Sequence, residues 1–129
     1  MIDARHNHLS RALRGLHREL LQAVKRDYEL LHGRVDDAHA LFRLADEDAL
    51  FAWLKPLTAA LAELDDALED RESPVRAELA LRQVRRLVGD VDGEFGTLLR
   101  QHLQASPEVA VAQGGVRSAL RSLEVRAVA

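Results

Sequence analysis

Between Leu9 and Leu31 a stripe of large apolar residues runs through Leu9, Leu13, Leu16, Leu20, Val24, Tyr28 and Leu31, a mean step of 3.67 residues held for six turns. Nothing else constrains the chain as strongly. A stripe of that period lies along one side of an α-helix and must be covered by another apolar face. "HGRVDD" stops the stripe: Gly33 suits the left-handed position that closes a helix, and Asp36 or Asp37 can accept the first amide protons of the next one. A short second helix is predicted through Ala38, Leu41, Phe42 and Ala45, after which "ADED" offers Asp46 as a cap.

A further stripe passes through a proline. Leu50, Leu54, Leu57, Leu61, Leu64 and Leu68 are spaced 4, 3, 4, 3 and 4, so the apolar phase survives Pro56. Within a regular α-helix a proline forfeits the bond to the carbonyl four residues back, here Ala52, at a cost of about 3 kcal/mol. Pro56 falls on the outer side of the stripe, where a bend wraps a helix around the core. The unbroken phase predicts one kinked helix over residues 47–70. The alternative is a helix that ends near Leu54 and restarts with Pro56 at its first position. Trp53, the single tryptophan, lies on the side of the stripe that carries Ala60 and Ala67, where small residues predict a close helix neighbour.

"RESPVRAEL" opens another helix, with Ser73 as cap and Pro74 at the first helical position. Its stripe is Ala77, Ala80, Leu81, Val84, Leu87 and Val88, ending at Gly89. A fifth helix, from Glu94 to about Ala105 with Asp92 as cap, is expected to bury Phe95, Leu98, Leu99, His102 and Leu103. "SPEV" repeats the Ser-Pro start at Ser106 and Pro107, and Gly114 and Gly115 are expected to separate a short piece from a last helix carrying Val116, Leu120 and Leu123. The predicted class is all-α: an antiparallel helical bundle of about five to six helices with a Pro-kinked central helix, forming a single domain over residues 1–129. At 129 residues such a fold removes about two-thirds of the chain's surface from water, enough for a core without covalent staples. With no cysteine there is neither a disulfide framework nor a thiol nucleophile.

Charge is segregated. Residues 1–34 carry a net +3, 35–73 a net −8 and 74–129 a net +2. Arg11, Arg14, Arg18 and Lys25 fall on one face of the first helix and are expected to face the acidic "ELDDALEDRE", or else to form a docking surface for a partner of opposite sign. Glu29 and His32 have the Glu-x-x-His spacing of di-iron bundles, but such a site needs the motif twice and further glutamates, and the only echo is Asp36 with His39. No metal site is therefore expected, and no cofactor. "DVDGEF" superficially resembles a calcium loop, yet its glycine is misplaced and Gln101 stands where the last acidic ligand belongs. A helix-turn-helix over residues 74–105 would offer Thr97, Arg100, Gln101 and Gln104 to a groove, a single cation, so nucleic acid is not the expected partner.

Val75 and Leu79 point away from the stripe of their own helix, and the C-terminal "VAVA" and "VRAVA" add further apolar residues; a second apolar face predicts a partner helix, hence a homodimer. "MIDARHNHLS" is too polar for a signal peptide and no apolar run approaches the length of a membrane span, so the cytoplasm is the expected location. "DYELLHGRV", "FAWLKPL", "GEF" and "SPEVAVAQGGVRSAL" together resemble a set of small all-helical bacterial proteins in which an F-A-W-L-x-P-L segment recurs. The resemblance implies a helical cytoplasmic protein and carries no activity to any residue. The functional expectation is a non-enzymatic interaction or regulatory module, homodimeric, with no catalytic residues. The alternative is a small-ligand or metal-binding bundle whose pocket lies near Trp53 and Pro56, walled by Phe51 and with a histidine nearby. The candidate pocket or partner-surface residues are Phe51, Trp53, Pro56, Arg11, Arg14, Arg18 and His32.

Overall fold

The computed structural model describes residues 4–90 and 92–128, with the side chains of 125–128 outside that description. Among the described residues the chain forms six α-helices and one 3-10 turn: α1 (Ala4–His32), α2 (Ala38–Glu47), the 3-10 turn (Ala49–Leu54), α3 (Lys55–Glu69), α4 (Pro74–Gly89), α5 (Glu94–Ala105) and α6 (Pro107–Val128). No strand occurs among them. The all-α bundle read from the apolar periods is the observed architecture.

The α1 stripe forms the spine of the core. Leu9, Leu13, Leu16, Leu20 and Val24 are buried, and one continuous apolar cluster joins them to the 3-10 turn and to α3, α4, α5 and α6. Cross-links fix an antiparallel sense. Arg5 near the start of α1 donates to the Ser122 carbonyl near the end of α6 (3.1 Å). Along the α1–α3 boundary Ser10 reaches Asp65, while His17, two turns later, reaches back to Thr58. Arg76 Nε on α4 pairs with Glu63 Oε1 on α3 at 3.0 Å, and Arg85 on α4 pairs with Glu124 on α6 at 2.6 Å. The close helix neighbour expected on the side of Ala60 and Ala67 is α4: those two alanines and Ala77 and Ala80 of α4 are all buried, and alanine lets adjoining helices lie close.

The central segment winds in two ways. The 3-10 turn precedes Pro56 and an α-helix follows it, so the single kinked α-helix over 47–70 is replaced by an arrangement nearer its alternative. The cause is one carbonyl. Pro56 has no N–H to offer Ala52, and the Lys55 N–H bonds that carbonyl in the tighter i→i−3 pattern. The backbone never leaves the helical region, with Leu54 at φ −79° and Lys55 at φ −57°. Leucines on both sides of the proline, Leu54, Leu57 and Leu64, accordingly stay in the core. With three residues per turn, Phe51 eclipses Leu54 and takes the inward position expected for Leu50, which is 37% exposed.

Other boundaries differ from expectation for local reasons. Asp48, not Asp46, caps the turn: its carboxylate accepts the Leu50 N–H at 2.9 Å while its own N–H closes α2 on the Leu44 carbonyl at 2.8 Å. Asp90, not Asp92, organises the start of α5, accepting the N–H groups of Asp92 and Gly93, and a Cβ on Gly93 would lie 2.7 Å from that carboxylate. Ser73 occupies the cap position of α4 without a side-chain bond, whereas Ser106 accepts the Val109 N–H at 3.3 Å. Gly33 is left-handed, at φ 89°, as read. Gly114 and Gly115 do not divide α6, because Val109, Gln113, Val116, Leu120 and Leu123 form a buried stripe across them.

Besides Leu50, two more expected core residues are outside. Leu31 continues the α1 stripe but is 73% exposed: α6 begins at Pro107, its Glu108 already sits in the field of Arg26, and the last turn of α1 runs past that end. Phe42 is likewise exposed, on a helix that contributes no fully buried residue.

Candidate functional site

The 3-10 turn carries two of the candidate residues, Phe51 and Trp53. Because its side chains step by a third of a turn, Phe51 and Trp53 leave on different sides. Phe51 is fully buried and meets Tyr28 of α1 with ring centroids 6.0 Å apart; Tyr28 in turn meets His32 at 4.6 Å. Trp53 lies against α5, 5.5 Å from Phe95 and stacked on His102 at 5.5 Å with planes 7° apart. The turn is thus clamped between the end of α1 and the length of α5. Phe95 and Leu99 complete the α5 contribution to the core, while His102 is half-buried.

Pro56 is exposed and borders an open cavity of about 680 Å³ between α3, α4 and the start of α5. Ala59, Ala60, Leu87 and Phe95 form its apolar part, and Glu63, Gln83, Arg86 and Glu94 bring both signs of charge to the rim. This cavity is not the one expected near the proline: Trp53 and Phe51 do not line it and no histidine borders it, the two rings being spent on α5 and α1. His32 borders a different cavity, of about 630 Å³, between the end of α1 and α2.

The Glu29–His32 pair is committed to local structure. Glu29 Oε2 accepts the Val35 N–H at 2.9 Å, tying the loop after α1, and His32 packs on Tyr28. Asp36 pairs with Arg34 at 3.1 Å. Among the described residues no three His, Asp or Glu side chains converge as a metal ion would need.

The basic stripe of α1 divides. Arg14 crosses to Asp65, but Arg18 pairs with Glu19 of its own helix at 3.7 Å and Arg11 is exposed with no ion pair among the described residues. The expected row of cations against the acidic helix is therefore one contact. What the cation reading missed is a polar seam one step round α1, where Ser10, Arg14 and His17 share a face. Ser10 donates to Asp65, and His17 Nε2 lies 2.8 Å from Thr58 Oγ1, whose own proton goes to the Leu54 carbonyl at 3.2 Å. Burial pushes the His17 imidazole below its ordinary 6.5, so the neutral ring, donating from Nε2, is the form that fits. The spacing of 4 and 3 from Ser10 to His17 was the available signal.

Exposed apolar side chains stand at the end of α1 (Leu30, Leu31), on α2 (Phe42) and on the outer face of α4, where they lie beside charge. Its inner side is already filled by Ala77, Ala80 and Val84, while Val75 is 67% and Leu79 52% exposed. Arg76 and Arg85 are held within the chain by Glu63 and Glu124; Arg82, Arg86, Glu72 and Glu78 make no ion pair among the described residues. Val111 of the "VAVA" segment is also exposed, and the side chains of "VRAVA" lie outside the described residues. No helix among the described residues is long and apolar enough to cross a membrane. No protein-family model, curated protein or solved structure matches the chain.

Proposed function

We propose that the chain is a non-enzymatic interaction module that works as a homodimer. The observation that carries this reading is the second apolar face of α4. A bundle helix needs one apolar side, α4 has filled that side, and Val75 and Leu79 still stand in solvent in line with unpaired charges. Sedimentation equilibrium tests it: the reading predicts a reversible species of twice the 14.4 kDa chain mass, weakened by salt where charges meet. A 14.4 kDa particle at every concentration up to the solubility limit would contradict it.

The Pro56 cavity favours a second reading, a bundle that takes a small ligand of mixed polarity. Phe95 both lines the cavity and packs on Trp53, so an occupant would alter the emission of the single tryptophan. A metabolite screen that leaves Trp53 emission unchanged counts against this reading.

A further inference from the structure

Deepening the interaction reading above, we propose that two copies pair through α4, antiparallel, about a two-fold axis at Leu79. The occupant of the exposed face is a second copy of this chain because the face is complementary to itself in the antiparallel orientation and repels itself in the parallel one. At 100° per residue Val75, Leu79, Arg82 and Arg86 form one outward strip, with Glu78 on its flank and Glu72 at its head. Charge runs along the strip from acidic to basic: Glu72 and Glu78 belong to the N-terminal half, Arg82 and Arg86 to the C-terminal half. The adjoining surface of α3 repeats the polarity, with exposed Asp66 and Glu69 towards the α3–α4 turn and exposed Lys55 at the far end. Arg71 at the turn and Asp90 at the far end oppose the trend without reversing it.

Parallel pairing would set Glu78 on Glu78 and Arg82 on Arg82. Antiparallel pairing with Leu79 of one copy on Leu79 of the other does the opposite. Glu72 of each copy then faces Arg86 of the other, seven residues either side of the axis, and Glu78 faces Arg82 within two residues' rise, about 3 Å. Val75 packs beside the opposing leucine and the aliphatic stem of the opposing Arg82, as arginine stems cover apolar surface while their heads stay in water. The contact is isologous and closes on itself, so it yields a dimer and not a filament.

The test is a charge swap followed by sedimentation velocity. The variant Glu72→Lys/Glu78→Lys makes the strip wholly basic, and Arg82→Glu/Arg86→Glu makes it wholly acidic. All four residues are exposed, so neither pair disturbs the core, which circular dichroism verifies. Each variant alone is expected to dimerise at least about tenfold more weakly than the native chain, and an equimolar mixture of the two is expected to recover native affinity as a mixed dimer. If both variants self-associate like the native chain, the interface is elsewhere and this proposal fails while the interaction reading stands. If each is weakened but the mixture does not recover, the antiparallel register is wrong. A native chain that stays monomeric throughout overturns both.

Discussion

Pro56 exerts its effect through an atom it lacks. Without its N–H the preceding turn tightens, the Lys55 N–H takes the Ala52 carbonyl, and Phe51 rather than Leu50 enters the core. Replacing Pro56 with alanine leaves the exposed surface almost unchanged but frees the unfolded chain, so the midpoint of urea unfolding is expected to fall by the equivalent of about 0.4–1 kcal/mol. Gln113 presents the opposite case. It lies in the buried stripe of α6 and its Oε1 has no hydrogen-bond partner among the described residues, so Gln113→Met, of nearly equal volume, is expected to stabilise the fold by about 1–3 kcal/mol in the same assay. His17 supplies a pH dependence with a definite sign. Its folded-state pKa is depressed below 6.5, so the unfolded chain binds the proton first as the solution is acidified. The contribution is present above 6.5 and is lost as pH falls through the folded value. Between about pH 7.5 and about pH 5 the native chain is expected to lose more stability than His17→Gln, and parallel losses would rule the assignment out.

At the scale of elements, α6 shows what a buried stripe can override. Two consecutive glycines weaken a helix by about 1 kcal/mol each relative to alanine, yet Val109, Val116, Leu120 and Leu123 hold α6 as one rod through them. Both glycines are exposed, and a Cβ at either would meet nothing within 4 Å. Gly114→Ala and Gly115→Ala are therefore expected to raise stability by about 0.5–1 kcal/mol each, read from thermal unfolding. The leucine period made the helices legible because burial repeats at the helical step whatever the neighbours are. Winding was less legible, since steps of 3 and 4 suit a 3-10 turn entering an α-helix as well as one bent α-helix. Where a stripe stops being covered was not legible at all: Leu31 keeps perfect phase, and its exposure depends on where α6 begins, some 75 residues away.

For the whole molecule, charge sorts helices locally more than it binds them. Of the α1 cations placed by sequence on one face, Arg14 alone reaches α3, and the links at that boundary come from Ser10 and His17, residues too common to stand out in a sequence. The aromatic clamp was half legible: Trp53 was placed inside, but its partners Phe95 and His102 lie more than 40 residues on, beyond what local spacing encodes. The exposed face of α4 lies outside the candidate pocket and partner-surface residues, but its second apolar side was legible because Val75 and Leu79 fall off the stripe on a helical wheel, and the structure leaves both in solvent. Since the chain has no cysteine, one introduced thiol reports a contact between copies without background. Leu79→Cys, oxidised mildly, is expected to give a disulfide-linked dimer much faster than Thr97→Cys, another exposed position, on α5 away from the strip; equal rates for the two would contradict α4 as the meeting surface.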